Sequence, residues 1–188
     1  MKKIIIKQIK DLYTTNWITL KQATVVNKNG KQFKWDFIAR KNEQKIITII
    51  CHSSISNRIL VIKEFRVPIN KYVIEFPAGL IEEGETIEQA AIRELKEETG
   101  YIGKIFRVSP FLTKSAYLTS ELSAFVEMEA NENEIGPTQL EKEEDIHPIW
   151  LKPEEFENQF LYHHNDEYII DSLVWMALTA FKVNNSYS

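Results

Sequence analysis

A set of acidic residues spaced for one helix face constrains this chain more than any other feature of its sequence. Glu94, Glu97 and Glu98 stand at positions i, i+3 and i+4, and at about 100° per residue such positions share a narrow arc of an α-helix. Like charges at this spacing repel each other by roughly a few tenths of a kcal/mol per pair. A helix that carries them therefore exposes this face to water or holds a cation on it.

The same stretch contains signals for the ends and the packed face of that helix. Thr86 followed three residues later by Gln89 forms a capping box, and Gly100 is the expected left-handed terminator. Between them an apolar stripe follows the helical period at Ile87, Ala90, Ala91 and Leu95. The sequence therefore predicts one helix with an acidic face and a separate face that packs on a core.

The stretch from Gly79 to Tyr101 contains a long pattern of fixed residues. It reads Gly, five residues, Glu, seven residues, Arg-Glu, an apolar residue, one residue, Glu-Glu, one residue and Gly. This pattern resembles the signature of the Nudix hydrolases, and every fixed position of that signature is matched. The last slot, usually aliphatic, holds Tyr101. A pattern of this length is specific, unlike a lone glycine-rich loop. The flanks, Glu75-Phe-Pro-Ala-Gly-Leu-Ile-Glu-Glu-Gly-Glu85 and Glu97-Glu-Thr-Gly-Tyr101, look like the ADP-ribose pyrophosphatase branch of the family.

Short apolar runs separated by turn residues make up much of the remaining chain. They predict strands before, between and after isolated helices, which indicates an α+β fold. The resemblance implies an α/β/α Nudix-type sandwich with a mixed β-sheet in residues 46–188. Residues 1–45 hold further strands, and we expect a small N-terminal β-sheet region that takes part in dimerisation. The segment 131–140 is predicted to be a loop, and the last helix is predicted from about residue 167 to residue 182.

The chemistry of the acidic face points to a hard metal ion. Oxygen ligands without histidine or cysteine favour Mg²⁺, with Mn²⁺ as a substitute, over zinc. A carboxylate-bound Mg²⁺ takes further ligands from substrate phosphates, and the reaction class that follows is hydrolysis of a phosphoanhydride. The resemblance implies Glu94, Glu97 and Glu98 as metal ligands, with Glu97 and Glu98 also in the catalytic set, and the Ala78 carbonyl as a further ligand.

Two charged residues of the signature have expected supporting roles. Arg93 is expected to brace the acidic face by pairing with one of its glutamates, although a surface arginine explains that position equally well if the motif is ignored. Glu85 precedes the helix cap, and we expect it to fix the loop rather than to bind metal.

Three residues outside the signature are assigned to substrate binding by resemblance. Arg66 matches an arginine that contacts substrate phosphate, a task that suits a planar guanidinium. Trp35 falls where related dimeric enzymes place an aromatic ring against adenine, although a tryptophan on an alternating strand can also belong to the core. Glu121 ends a short stretch that is similar to family members. Before it, Ala116 and Tyr117 replace the Pro-Gly pair usual in members that cleave ADP-ribose, which alters the sugar end of the predicted pocket.

The general base of similar enzymes comes from an acidic loop, which corresponds here to residues 141–145. Glu141, Glu143 and Glu144 remain alternatives for this role, and Glu143 and Glu144 are assigned to the catalytic set. Lys142 stands where the family pattern has an acidic residue.

Together these features predict a metal-dependent pyrophosphatase acting on a nucleoside diphosphate derivative, either ADP-ribose or another nucleotide sugar. Its products would be a nucleoside monophosphate and a phosphorylated partner. The alternative is a catalytically silent Nudix module that binds a nucleotide as sensor or scaffold. The intact glutamate set argues against this alternative, because a silent protein has no need for mutually repelling carboxylates.

Composition excludes other classes of function. The chain has 188 residues and a formal charge of −4, which provides no electrostatic footprint for nucleic acid or an anionic membrane. No apolar run approaches the length of a membrane span. The single cysteine, Cys51, excludes an internal disulfide, and it follows an apolar run that predicts a buried thiol rather than a nucleophile. We expect a cytoplasmic protein, and the resemblance implies a homodimer.

Overall fold

A computed structural model of the chain describes residues 3–142, 144–156, 158, 160 and 166–185. Within these residues the chain forms two units. The first draws on Met1–Ile46 and Phe111–Ala124, and the second draws on Ile47–Pro110 and Phe125–Ser188. The division of the chain at residue 45 into a dimerisation region and a catalytic domain stays a prediction.

The strands and helices of the described residues are numbered in chain order. The strands are β1 (Ile5–Thr14), β2 (Ile18–Val26), β3 (Gln32–Arg40), β4 (Ile46–Ser53), β5 (Ile59–Arg66), β6 (Lys71–Glu75), β7 (Ala78–Leu80), β8 (Tyr101–Val108), β9 (Leu112–Thr113), β10 (Leu122–Ile135), β11 (Ile146–Leu151) and β12 (Tyr168–Ile170). The helices are α1 (Ile87–Thr99), α2 (Pro153–Phe156) and α3 (Ser172–Asn185).

The first unit contains a small antiparallel sheet in the order β1-β2-β3. A tight turn joins β2 to β3, in which the Asn27 side chain accepts hydrogen bonds from the backbone N–H groups of Asn29 and Lys31, both at 3.0 Å. Gly30 adopts a φ of +85°, a conformation that glycine reaches without strain. These contacts make β2 and β3 a β-hairpin.

A distant segment of the chain joins the first unit beside β3. The Ile38 N–H donates to the Leu118 carbonyl at 2.9 Å, and the Ser120 N–H donates to the Ile38 carbonyl at 3.0 Å. β9 pairs with the first residues of β10 in the same segment. Nothing in the local sequence indicates this association, because the partners lie about eighty positions apart and no periodic pattern links them.

The second unit is organised around a larger mixed sheet, in the order β12-β6-β5-β4-β10-β8. β12 runs parallel to β6, whereas β5 is antiparallel to both β6 and β11. A core of buried side chains joins this sheet to α2 and α3: Ile59, Val61, Ile74, Phe76, Leu151, Phe156, Val174 and Leu178. The mixed sheet with few helices, together with the small N-terminal sheet, confirms the predicted fold class.

Two predicted boundaries are wrong. Residues 131–135 continue β10 instead of starting a loop, because Ile135 pairs with Tyr101 and this pairing overrides the polar local sequence. Tyr168–Ile170 form β12 rather than the first turn of the last helix, because they pair with β6. α3 begins only at Ser172, where the Asp171 carboxylate accepts the Leu173 N–H at 2.7 Å.

Candidate active site

Helix α1 has the caps and the packed face that its sequence predicts. The Thr86 side chain accepts the Gln89 N–H at 3.2 Å, and the Gln89 side chain accepts the Thr86 N–H at 2.9 Å. Gly100 closes the helix in the left-handed region, at a φ of +75°. The predicted stripe residues Ala90, Ala91 and Leu95 are fully buried. The acidic side of α1 is thereby held in one orientation.

Glu98 is the most deeply buried carboxylate on α1. Glu98 is only 4% exposed, and its carboxylate accepts a hydrogen bond from the Ala78 N–H at 3.2 Å. Burial raises its pKa well above the ordinary value, and the charges of Glu94, Glu64 and Glu144 raise it further. A carboxylate in this position is ionised only at a cost that a nearby cation would offset.

Glu94 shows why the signature requires glycine at position 79. A Cβ atom built on Gly79 would overlap the carboxyl group of Glu94, so a larger residue in strand β7 would displace that carboxylate. Burial is also the largest cause of the raised pKa of Glu94. The loop before α1 is therefore shaped to receive the Glu94 carboxylate.

Arg93 braces the acidic face, as predicted, and it does so through two glutamates. Its Nη1 donates to Glu94 Oε1 at 2.8 Å and to Glu97 Oε2 at 3.0 Å. Its Nε and Nη2 donate to the two oxygens of Glu85, both at 2.9 Å, and Nη2 also donates to the Leu80 carbonyl at 2.9 Å. This planar fork ties the helix to the preceding loop in a way that lysine could not reproduce.

Glu85 has the loop-fixing contacts that its position suggested. Its Oε2 accepts the Glu82 N–H at 3.0 Å, and the hydrogen bonds from Arg93 are the largest cause of its lowered pKa. Glu85 is thus held as a carboxylate by a permanent cation within the chain.

Arg66 lies at the end of β5 between two carboxylates of the same sheet. Its Nη1 contacts Glu64 Oε1 at 2.8 Å, and its Nε donates to Glu75 Oε1 at 2.7 Å. These contacts orient the guanidinium while leaving part of it exposed to solvent. The phosphate-binding role of Arg66 stays a prediction.

Glu64 is a functional candidate that sequence reasoning missed. It is 8% exposed and shares a face of β5 with the fully buried Leu60 and Ile62. Burial raises its pKa to about 7, the charges of Glu75 and Glu144 add to this rise, and Arg66 opposes it. The available signal was an acidic residue at an inward-facing position of an otherwise apolar strand, which is a rare arrangement without a partner.

The acidic loop brings Glu144 near the carboxylates of α1 and β5. Its charge contributes to the raised pKa values of Glu64, Glu94 and Glu98. The Glu144 side chain also accepts the Glu141 N–H at 2.8 Å. Glu143, the other acidic residue assigned to the catalytic set, lies outside the described residues.

In the first unit, Trp35 contacts the altered turn and Glu121 contacts the end of β3. The Trp35 indole N–H donates to the Tyr117 carbonyl at 3.3 Å, and Glu121 forms an ion pair with Arg40. Trp35 is 48% exposed, which excludes it from the core, and Tyr117 is also exposed. Adenine stacking by Trp35 and substrate contact by Glu121 stay predictions.

The large sheet also holds a cysteine and a tryptophan that are not assigned to this chemistry. Cys51 is buried in β4 as expected, and desolvation is the main reason that its pKa rises to about 12, so it is not a nucleophile. Trp150 packs edge-on against Tyr101, with ring centroids 5.3 Å apart. No helix among the described residues is both long and apolar enough to cross a membrane.

The donor set of α1 fits a hard divalent cation in its chemistry. Within the described part of the chain, no three acidic, histidine or cysteine side chains meet in metal-ligand geometry. Glu94 and Glu97 point to Arg93, and Glu98 points to the Ala78 N–H. The available donors are nevertheless all oxygen atoms, and burial and mutual repulsion raise the pKa values of Glu94 and Glu98. A bound cation would relieve both effects.

Comparison with known proteins provides independent evidence on the family. The NUDIX domain model matches residues 44–173. The chain is 34% identical over 180 residues to an ADP-ribose pyrophosphatase of Saccharomyces cerevisiae, covering 89% of this chain and 78% of that protein. It is 32% identical over 127 residues to an ADP-sugar pyrophosphatase of Mus musculus, covering 64% of this chain and 58% of that protein.

A solved structure shows the same fold. The crystal structure of an ADP compounds hydrolase matches 99% of this chain and 97% of its own chain, with a TM-score of 0.70 at 18% sequence identity. The resemblance of residues 79–101 to the Nudix signature is thus confirmed by the family match and by the relatives. The chain belongs to the NUDIX domain family of hydrolases.

Proposed function

We propose that this Nudix hydrolase cleaves the pyrophosphate bond of a nucleoside diphosphate derivative in a Mg²⁺-dependent reaction, with ADP-ribose or another nucleotide sugar as the substrate. The products are a nucleoside monophosphate and a phosphorylated partner. The observation that carries this proposal is the buried Glu98 beside Glu94, within a complete Nudix signature. The names of the yeast and mouse relatives support the substrate class.

The oxygen atoms of Glu94, Glu97 and Glu98, together with the Ala78 carbonyl, would hold Mg²⁺, and Mn²⁺ would substitute for it. When bound, the cation offsets the charge of the diphosphate and lowers the pKa of the attacking water. Arg93 contributes by restricting two of these carboxylates, since each already accepts a hydrogen bond from its guanidinium. Orientation of ligands by such outer contacts is a general requirement of metal sites.

Arg66 binds a phosphate oxygen of the substrate in this proposal. Its guanidinium is held by Glu64 and Glu75, so its direction is set before the substrate arrives. Such preorganisation favours the transition state, because no side chain has to be ordered during the reaction. The partly exposed edge of the guanidinium is the surface available to phosphate.

A glutamate of the acidic loop accepts the proton of the attacking water. Glu144 is our choice, because its charge already acts on Glu64, Glu94 and Glu98. Glu141 and Glu143 remain the alternatives. A general base typically contributes about a hundredfold or more to the rate, so its removal is measurable.

The exposed aromatic surface of the first unit recognises the nucleoside. Trp35 stacks on the adenine ring, and its N–H contact with the Tyr117 carbonyl keeps the indole in place. Glu121 binds the substrate close to this turn, where Arg40 holds its carboxylate. Aromatic stacking is typically worth about 1–3 kcal/mol per base in nucleic-acid complexes, which sets the scale expected here.

We further propose a homodimer of roughly 44 kDa, twice the 22.0 kDa chain, in the cytoplasm. Every residue of β1 is exposed, including several large apolar ones, and a second copy of the chain would bury them: Ile5, Ile6, Ile9, Leu12 and Tyr13. The single cysteine suits a reducing compartment. A monomeric mass by light scattering at micromolar concentration would reject the dimer.

A nucleotide library tests the reaction directly. Purified protein is incubated with ADP-ribose, other nucleotide sugars and dinucleotides, and product formation is followed by phosphorus nuclear magnetic resonance. We expect monophosphate release in Mg²⁺ or Mn²⁺, loss of release in a chelator, and recovery when Mg²⁺ is returned. Saturable nucleotide binding without product, in either metal, would instead indicate a silent binding module.

A further inference from the structure

The acidic loop, residues 141–145, and the segment 136–140 that leads into it are hydrogen-bonded to other elements of the second unit at both ends. At the first end, the Gly136 N–H donates to the Gly100 carbonyl at 2.8 Å, and the Gln139 N–H donates to the Glu97 carbonyl at 2.8 Å. The Glu97 carbonyl lies in the last turn of α1, where carbonyl groups lack a donor within the helix. The segment that leads into the loop is therefore hydrogen-bonded to the helix that carries the acidic face.

The second end of the loop is held by a cluster around Asp145. The Tyr72 hydroxyl of β6 donates to Asp145 Oδ2, and His147 Nε2 of β11 lies 2.9 Å from Asp145 Oδ1. The hydrogen bond to Asp145 is the largest cause of the raised pKa of Tyr72, and the same bond is the largest cause of the lowered pKa of Asp145. The contact thus joins a tyrosine hydroxyl to an ionised carboxylate.

The Tyr72 ring is itself fixed by the neighbouring strand. Phe65 meets it edge-on, with ring centroids 5.5 Å apart, and Lys63 Nζ stands 4.5 Å from the ring centroid. The hydroxyl that donates to Asp145 therefore belongs to a residue of the sheet rather than to another loop. Its hydrogen bond fixes Asp145 relative to the sheet.

Glu144 stands next to Asp145, at the held end of the loop. Its side chain accepts the Glu141 N–H at 2.8 Å, and the Glu144 N–H donates to the Glu141 carbonyl at 3.2 Å. Local contacts thus close the loop around Glu144, whereas Asp145 connects it to β6 and β11. A catalytic group that is displaced by about 1 Å can lose as much as a hundredfold in rate.

We propose that Tyr72, Asp145 and His147 form a clamp that positions Glu144 for proton abstraction in the hydrolytic reaction. This inference rests on the proposed function, which gives Glu144 the role of general base. None of the three residues is a catalytic residue in the proposal, because each acts through Glu144. The side chains of Asp145 and His147 are exposed, and exposed polar contacts of this kind contribute little to stability. If these contacts only stabilised the fold, removing one of them should change neither kcat nor the melting temperature by much.

The first test removes one hydroxyl from the clamp. Tyr72→Phe keeps the ring that contacts Phe65 and Lys63 but loses the bond to Asp145. We expect kcat to fall by about tenfold, with KM changed less than about twofold and the melting temperature unchanged. Glu127→Gln is the matched control, because it breaks the surface ion pair with Arg107 between β10 and β8 and should leave kcat at the wild-type value.

The second test asks whether the clamp acts through Glu144. In a Glu144→Gln background, Tyr72→Phe should cause no further loss of kcat, since residues that act as one unit are not additive. Multiplying losses in the double variant would overturn the proposal. So would an unchanged kcat in Glu144→Gln beside a reduced kcat in Tyr72→Phe, because the clamp would then act through another group.

A readout without turnover separates this proposal from the proposed function. Amide hydrogen exchange of peptides that contain Glu144 should be at least several-fold faster in Tyr72→Phe than in the wild type, and unchanged in Glu127→Gln. Equal exchange in wild type and Tyr72→Phe would overturn the clamp even if the enzyme is active. Faster exchange in Tyr72→Phe than in the wild type, together with a wild type that hydrolyses no nucleotide, would refute the proposed function. The clamp would then hold the loop without a catalytic role.

Discussion

Glu98 on α1 and Trp35 on β3 differ most clearly in their exposure to water. Glu98 is 4% exposed, and three other carboxylates raise its pKa in addition to its burial. Trp35 is 48% exposed, with one hydrogen bond from its indole and an edge-on contact with Phe33 at 6.4 Å. The second unit thus gathers carboxyl groups in a buried cluster, whereas the first unit presents an aromatic side chain to solvent.

This contrast determines how each unit should respond to substitution. Removing a buried charge changes both the stability of the fold and any function that uses that charge, because desolvation and repulsion act in the free protein as well. Removing an exposed ring takes away contact surface without leaving a cavity. A substitution in the second unit should therefore alter both stability and activity. A substitution in the first unit should alter activity and leave stability nearly unchanged.

Glu98→Gln should have the largest effect. We expect turnover to fall by about a hundredfold, because one charge of the proposed metal site is lost. Stability without Mg²⁺ should rise at the same time at pH values where Glu98 is ionised, because burial and the neighbouring carboxylates disfavour its charged form and Gln carries no charge. The measurements are kcat for monophosphate release and the midpoint of urea unfolding.

Glu88→Gln is the matched control, since Glu88 is exposed in the first turn of the same helix. It should leave kcat unchanged and alter stability by no more than about 0.5 kcal/mol. Near-normal Mg²⁺-dependent turnover in Glu98→Gln would reject the proposed ligand and, with it, the contrast between the two units.

The buried carboxylates should also make stability depend on pH. The pKa of Glu64 is raised from 4.5 to about 7, so between these values the folded chain binds more protons than the unfolded chain. The contribution of Glu64 to the free energy of unfolding should therefore decrease as pH rises through this interval, by on the order of 2 kcal/mol, with Glu94 and Glu98 acting in the same direction. The lowered pKa of His52 acts in the opposite direction, so the Glu64 contribution is measured against a variant that lacks it. Urea unfolding at about pH 5 and about pH 8 measures this difference.

Two comparisons sharpen the result. Glu64→Gln should flatten the dependence on pH, because the substituted side chain does not titrate. Added Mg²⁺ should restore more stability at the higher pH, where the carboxylates are ionised and bind a cation. Stability of the metal-free wild type that rises between the two pH values relative to that of Glu64→Gln would contradict the assigned direction.

Trp35→Ala tests the exposed side of the comparison. We expect KM for ADP-ribose to rise by about tenfold, in the range of one lost stacking contact, with kcat reduced much less. The unfolding midpoint should hardly move, because the ring is not part of a core. Trp17→Ala removes a second exposed tryptophan of the first unit and should leave KM unchanged. A large loss of stability in Trp35→Ala would show that the ring supports the fold.

Tyr117→Gly should have the smallest effect. If the exposed tyrosine narrows the sugar end of the pocket, its removal should raise kcat/KM for ADP-ribose relative to other dinucleotides by about tenfold or less. The Trp35 contact should persist, because it uses the backbone carbonyl of residue 117. Rapid cleavage of ADP-ribose by the wild type, with no change in the variant, would show that this substitution in the family pattern has no effect on substrate choice.

Short-range sequence signals were enough to predict the local features of the second unit. The caps of α1, its buried stripe and its acidic face follow from residues no more than four positions apart, and all are present. The pairing of Arg93 with the acidic face was predicted for the same reason. The fold class followed from the order of strands and helices, and the family followed from the signature. Signals of this kind survive because each is contained within one element.

Which residues are buried and which distant segments pair became visible only in the folded chain. It placed Glu64 inside the sheet, joined residues 111–124 to the N-terminal strands, and turned Tyr168–Ile170 into a strand beside β6. It also left Trp35 exposed, where an alternating strand allowed either interpretation. These outcomes depend on partners far along the chain, because strand pairing and desolvation are properties of the assembled sheet rather than of any local window of sequence.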